Sequence, residues 1–403
     1  MPTASGLFKQ VIYKKEVTYG LVPSAASAQL IRRVESSIDL MKETYQSNEI
    51  RPDFQIADFR HGVRRVDGSI NGELSPKTYS DFFAASLKRI FTTGVSAVGA
   101  SVTIAGAGPT YTVTRAAGSY LTDGFKVYDT IRLTVGTLNA LNINKNLLIV
   151  GLTATVATVI VVNGSALAAE GPIATTTIGV VGKKTYTPTT GHTDESFSIE
   201  HFYADLTQSE VFSGCKPSTI AVELPPTGLA TCNVSFMGKD IVTAAAQYFT
   251  SPTALTTTTV LAAVNGVVRV NGATVANLTG LSINIDSPQT GEPVVGSNSV
   301  PAMYPGRVNV TGQFTAYFDS VTLRDVFVNE TEIDLAGVFT ENNTASAGFV
   351  SFAMPRIKVG SASKSDGETG LIQTFSFQAL LNTAGGTGTT TEATTLVIQD
   401  SAA

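Results

Sequence analysis

Two stretches of this 403-residue chain can be laid on one another: GSINGELSPKTYSDFF at 68–83 and GQFTAYFDSVTLRDVF at 312–327. At a constant offset of 244, Gly68 meets Gly312, Thr78 meets Thr322, Asp81 meets Asp325 and Phe83 meets Phe327. Apolar positions follow, with Ile70 on Phe314, Leu74 on Phe318 and Tyr79 on Leu323. Four identities in sixteen do not establish a repeat, so the flanks must decide it. Upstream, SSIDLMKET carries Ile38 and Leu40 on its apolar side and LSINID carries Ile283 and Ile285, now at offset 245. A one-residue slip ordinarily turns a strand's faces over. Here the joining loop is one residue shorter in the second copy, and core positions still meet core positions. Downstream, CNVSFMG at 232–238 resembles TFSFQA at 374–379, placing Phe236 on Phe377. By this spacing the first copy carries about 103 extra residues between a helix ending near 92 and the strand SFSIEHFYADL at 196–206.

Each copy reads as a strand followed by a helix. Residues 66–74 alternate, with Val66, Gly68, Ile70, Gly72 and Leu74 on one face. Ser75 offers an N-cap and Pro76 a first helical position, and Tyr79, Phe82, Phe83, Leu87 and Ile90 follow at helical spacing. Lys88 and Arg89 suit the helix end, and Gly94 can stop it. The second copy offers Asp319 as N-cap and a stripe of Leu323, Val326 and Phe327. Residues 95–185 hold six short β runs punctuated by turns, the pattern of a small barrel or sandwich. The fold class expected is mainly β: two antiparallel sandwich or barrel units, each with a flanking helix, plus this inserted β domain. The organisation is 1–94 and 186–243 for unit one, 95–185 for the insert, 244–264 for a linker and 265–403 for unit two. TAGGTGTTTEATT at 383–395 reads as a flexible loop before a last strand, TTLVIQ.

Composition narrows the function. Only 15% of residues are charged, the net charge is −5, and no Lys/Arg run exceeds two, which argues against a surface that grips nucleic acid through phosphates. Residues 146–169 carry no charge, but frequent Thr, Ala and Gly and the turn pair Asn163-Gly164 read as strands and a hairpin, not a membrane helix. The first residues show no secretory signal. Cys215 and Cys232 are idle buried thiols or, alternatively, a disulfide. His61, His192 and His201 are too scattered for a metal cage. GAGPTY at 106–111 and AGGTGT at 384–389 lack a dinucleotide fingerprint, so no cofactor is expected. Glu35, Asp39, Glu43 and Glu73 could share a strand face as an acid and base pair, but a solvated sheet face is as good a reading, and no enzyme is expected.

The segment MKETYQSNEIRPDFQIADFRHGVRRVDGSINGELSPKTYSDFFAASLKRIF, 41–91, resembles the tail tube (major tail) proteins of long-tailed, non-contractile bacteriophages. The likeness rests on a strand, the long loop TYQSNEIRPDFQIADFRHG, the return strand GSINGEL and the helix SPKTYSDFFAA, in that order. It implies two packed antiparallel sheets with a helix, and subunits pairing strand to strand into rings whose inner wall is one β-barrel. Rings stack into a conduit for double-stranded DNA in a virion tail, built in the host cytoplasm beside a tape measure protein and terminator or tip proteins. This sequence departs from the simple pattern because the unit occurs twice. Three chains would then supply the six units of a ring. The competing readings are a secreted or surface adhesin-like β-sandwich protein and a carbohydrate-acting enzyme.

Two residue sets carry that expectation. Loop 46–62 is long and rich in large side chains, so Glu49, Arg51, Asp53, Phe54, Asp58, Phe59 and Arg60 are candidates for joining stacked rings, the alternative being a self-packed surface loop. Strand parity puts Glu35, Asp39, Glu43, Arg65, Asp67, Ser69, Asn71 and Glu73 opposite the core face of copy one. In copy two the same parity selects Ser282, Asn284, Asp286, Asn309, Thr311, Gln313 and Thr315. These are the candidate lumen residues, with six acids to one base.

Overall fold

The computed structural model describes residues 3–365 and 370–403. In the first half, β1 (Asp39–Gln46), β2 (Phe59–Glu73), α1 (Ser80–Ser86), β3 (Phe197–Tyr203), β4 (Gln208–Leu224) and β5 (Thr231–Gly238) follow in order. The second half runs β6 (Leu278–Asp286), β7 (Asn309–Tyr317), α2 (Thr322–Val328), β8 (Glu332–Thr340), β9 (Phe349–Lys364) and β10 (Ile372–Ala379), then a closing strand β11 (Val397–Asp400). The fold is mainly β and antiparallel.

The pairing register of the first half recurs in the second. Leu40 stands opposite Val66 and Ile285 opposite Val310. Gly68 stands opposite Phe236, and Gly312 opposite Phe377. Irregularities recur too. The β4–β5 ladder shifts between Pro217 and Thr219, and the β9–β10 ladder between Val359 and Ser361. The β3–β4 ladder shifts between Phe197 and Ile199, and the β8–β9 ladder between Ile333 and Leu335. A bulge bends a strand locally, so two halves with bulges at the same places share curvature as well as connectivity. Gly68 is required by its position: its φ is +140°, and a Cβ there would strike the backbone of Ser37 and Ile38.

The halves are joined edge to edge. β4 pairs with β6 from Thr219–Asp286 to Leu224–Leu281, giving one continuous run of β1, β2, β5, β4, β6, β7, β10 and β9. Its apolar face builds a shared core that includes Ile70, Phe236, Ile283, Phe314 and Phe377. Phe82 of α1 is packed edge-on against Phe197 and Phe236, with ring centroids 5.2 and 5.1 Å away.

Helix boundaries depart from the sequence reading. Ser75 does not cap α1, because its hydroxyl lies 2.6 Å from that of Thr78 and Lys77 adopts φ +72°, which no right-handed helix accommodates. Asp400 instead pins the chain just ahead of and at the start of α1, its carboxylate accepting from Lys77 N at 2.7 Å and Ser80 Oγ at 2.8 Å. Lys88, at φ +60°, lies beyond the end, and Ile90 is exposed. In copy two the N-cap is Val321, while Asp319 accepts a hydrogen bond from Asn277 at 2.6 Å.

Within the insert, strands Ser96–Ala105, Thr110–Arg115, Thr130–Thr134, Leu147–Leu152, Val156–Val161 and Glu170–Val180 close into a six-stranded barrel around Val102, Ile104, Val113, Leu133, Ile149 and Val159. The uncharged run 146–169 supplies two of these strands. Their hairpin turns at 153–155, whereas Asn163-Gly164 falls after the second strand, where Asn163 donates to Thr340 Oγ1 at 2.7 Å. Among the described residues no helix is long and apolar enough to cross a membrane.

The barrel is docked on the second half. Tyr128, Leu148 and Ile160 bury against Ala336, Val338, Phe349 and Ala353. Beside them buried Lys184 lies 3.1 Å from buried Asp129 and 3.2 Å from the partly buried Glu392. The loop 383–395 is not free as its composition suggested, since Lys126 donates to the carbonyl of Thr389 at 2.8 Å and Asn382 to Thr391 Oγ1 at 2.8 Å. Residues 244–264 are likewise laid on the first half: Thr253 N donates to Ala28 O and Leu261 N to Leu74 O, with Phe249 and Leu261 fully buried.

Candidate assembly surfaces

Strand alternation leaves the second face of the eight-strand run polar. Its rows pass through both halves. Glu35 stands opposite Asn71, and the row continues through Asn233, Ala221, Asn284, Thr311 and Gln378. A second row reads Glu73, Thr231, Glu223, Ser282, Gln313, Ser376 and Ser361. A third links Ser69, Ser235, Thr219, Asp286 and Asn309. The second and third rows contain no Lys or Arg, whereas the first ends on Lys358, which stands opposite Gln378 on β9. Glu223, Ser282, Asn284, Gln313 and Gln378 line an open depression, so this face is concave.

The candidate lumen residues therefore fall largely on one surface. Asp39 and Asp67 face one another, Arg65 faces Met41, and Thr315 receives a hydrogen bond from Thr279 at 2.8 Å. Glu43 is the exception, sitting in the register shift between Lys42 and Thr44 without a cross-strand partner. Parity arguments applied to two strands per copy missed the contributions of β4, β5 and β10. The alternation in CNVSFMG and TFSFQA was the available signal, with Asn233, Ser235, Ser376 and Gln378 on the polar side.

The loop between β1 and β2 is exposed throughout. Its charges pair locally: Arg51 makes a two-point contact with Asp53, the shorter arm at 3.0 Å, and Arg60 reaches Asp58 at 2.7 Å. These guanidinium contacts hold both aspartates below the ordinary carboxylate range. Glu49 is exposed and its amide bonds the Ser47 hydroxyl. Phe54, at φ +56°, presents its ring entirely to solvent, and Phe59 lies edge-on to His61.

The two ends of the eight-strand run are open edges: the outer edge of β1, and the edge of β9 opposite β10 from Val359 to Lys364. Unpaired edges are templates for pairing with another chain. His61 and His192 are exposed, whereas His201 and both thiols are interior. Cys215 and Cys232 are free thiols, fully buried, and burial raises both well above the ordinary thiol value. His201 is buried, with its Nε2 2.8 Å from Ser36 Oγ. No group of three or more His, Cys, Asp or Glu able to hold a metal occurs among the described residues.

A search of curated proteins returns no match. A family model described as phage tail tube protein matches residues 9–379, which takes in both halves and the inserted barrel. That match covers nearly the whole chain, and the chain belongs to the family of phage tail tube proteins, structural components of the virion tail.

Proposed function

We propose that the chain is a duplicated tube subunit of a long-tailed phage, and that three copies close into a ring of six units. The observation that carries this reading is the β4–β6 junction inside the chain. There the last strand of one unit's sheet pairs with the first strand of the next. The same two edges, in the form of β9 and β1, are left open at the ends of the run. A head-to-tail contact of this kind repeats until it closes. Transferring the internal register places Ala362 of one copy opposite Leu40 of the next, and Ser363 opposite Asp39. The helices support the same reading. α1 is covered from unit two by Phe352 and Asp400, whereas α2 leaves Val321, Phe327 and Val328 exposed for a cover supplied by the next copy.

Ring closure turns the concave polar face into the channel wall. DNA must slide past without stopping, and every cation that neutralises a phosphate adds salt-sensitive retention, so a polar, net-negative wall suits a conduit. The tip of the loop 46–62 faces the next ring, the barrel projects outward, and the tape measure, terminator and tip proteins are the other tail partners. The family match does not favour the adhesin reading. Native mass spectrometry of solubilised rings, with an end-on image, tests the stoichiometry. Three chains are expected, and six full-length chains per ring would overturn it.

A further inference from the structure

We infer that the hairpin formed by β1, loop 47–58 and the start of β2 docks sideways on the second unit of an adjacent copy within one ring, burying Ile56 and Phe59 there. The inference rests on the three-chain ring proposed above, and it starts from the other hairpin of the chain, between β6 and β7.

The two hairpins correspond along their length. β6 and β7 separate after Asp286–Asn309, and the ladder resumes with Gln289 opposite Pro305. β1 and β2 shift after Lys42–Arg64 and resume with Thr44 opposite His61. Counting from those resumed pairs, Val300 corresponds to Ile56 and Met303 to Phe59.

Their surroundings differ sharply. The hairpin of the second unit lies on the first unit and is bonded to it. Arg64 N donates to Asn298 O at 2.9 Å, and Arg64 and Ser299 form a parallel bridge. Lys216 Nζ donates to Met303 O at 3.2 Å, and Ser287 N to Ser218 O at 2.8 Å. In that setting Val300 is 7% exposed and Met303 5%. The hairpin of the first unit has no neighbouring unit beneath it, and Ile56 is 65% exposed and Phe59 56%. Two large apolar side chains left in water at positions whose counterparts are buried are the signature of a missing partner.

The ring supplies that partner. Each contact on the first unit has its counterpart on the second: Val308 for Arg64, Lys358 for Lys216 and Gly360 for Ser218. Lys358 keeps the chemistry of Lys216 and, among the described residues, pairs with exposed Glu330 at 2.7 Å. Closing the ring brings it to the carbonyl of Phe59 of the adjacent copy. Gln55 becomes the counterpart of Ser299 and meets Val308. The tip, with Arg51, Asp53 and Phe54, remains free to face the next ring.

Disulfide trapping in assembled tubes tests this. Two double variants of the full chain are compared after mild oxidation: Gln55→Cys with Val308→Cys for the hairpin, and Asp39→Cys with Ser363→Cys for ring closure. Arg64→Cys with Ser299→Cys, within one chain, is the geometric control. Covalent trimers from both test pairs are expected. Trimers from the Asp39/Ser363 pair alone would overturn the hairpin docking and leave the ring standing. Trimers from neither, with the control bond formed, would overturn both. A second readout does not depend on tube formation by those pairs. A thiol at Ile56→Cys should lose at least about tenfold in labelling rate on going from free chain to isolated ring. Protection that appears only when rings stack would assign the residue to the next ring instead.

Discussion

Ile220 stands directly opposite Ile285, both fully buried, on the two strands through which the halves of the chain are joined. Their counterparts at the open ends, Ala362 and Leu40, are only half-buried. Closing the ring would give that second pair the burial of the first. Ala362→Asp should therefore be tolerated by the free chain, where the carboxylate reaches water, and should block assembly, where it would be buried without a partner. The expected result is a folded protein within a few degrees of the wild-type melting temperature that forms no tubes by electron microscopy. Wild-type tubes from this variant would place the closing contact elsewhere.

His201 gives the fold a pH dependence whose sign is fixed. Burial, reinforced by Lys9 and Arg33, lowers its pKa to about 3 in the folded chain, against an ordinary 6.5. Above pH 6.5 the ring is neutral in both states and contributes nothing to the slope. As pH falls below 6.5 the unfolded chain takes up the proton and the folded chain does not. Stability then drops by about 1.4 kcal/mol per pH unit until the pH approaches 3. His201→Gln should be less stable than wild type at pH 7, and the gap should narrow by about 2 kcal/mol at pH 5. Denaturant melts at the two pH values check it, and parallel shifts in the two proteins would refute the assignment.

The recurrence of ladder register between the two halves was legible because it is carried by side chains that fix register. Offsets of 244 and 245 follow from Gly68, Ile38 and Leu40 and their counterparts, and the ladders place Gly68 and Leu40 as the offsets require. The start of α1 was not legible. It is pinned by Asp400, more than three hundred residues away, and no local pattern announces that. The polar face was half legible: alternation identified it on β1, β2, β6 and β7, but the strands between them join it through pairings that a single strand's pattern does not reveal. The loop 383–395 misled for a related reason, since its carbonyls are bound by Lys126 of the insert.

The insert closes its own barrel and is also docked on the second half, so its removal should carry a cost. Replacing 96–180 by a Gly/Ser linker should leave tube assembly intact, because the second half carries no counterpart. It should also uncover Ala336, Val338 and Phe349 and take Asp129 away from buried Lys184. Removing one partner of a buried ion pair costs about 3–5 kcal/mol, and Glu392 at 3.2 Å keeps this case near the lower end. Asp129→Ala in the full chain should therefore lose about 3 kcal/mol. The excised chain should regain stability when Lys184→Met and Glu392→Gln are added together. Complete loss of assembly on excision, with the remaining chain folded, would show that the barrel is part of the tube.

The wall's charge should govern how DNA leaves. Glu73 and Glu223 lie in one row with Thr231, Ser282, Gln313, Ser376 and Ser361, a row without a cation. The three-chain ring proposed above would place six such carboxylates around each ring, and stacking would repeat them along the tube. Glu73→Lys with Glu223→Lys converts that band to six ammonium groups per ring. Neither residue is buried, so folding and tube formation should be preserved. Each cation that meets a phosphate releases a counterion, and the logarithm of the binding constant falls with the logarithm of salt at a slope near −0.9 per contact. Duplex DNA should therefore leave virions carrying the variant more slowly than wild type at low salt, with the difference closing as salt rises. Dye-detected ejection from purified virions over a salt series reads both. Unchanged ejection at every salt concentration, in a variant with normal tails, would mean that these side chains do not face the passing duplex.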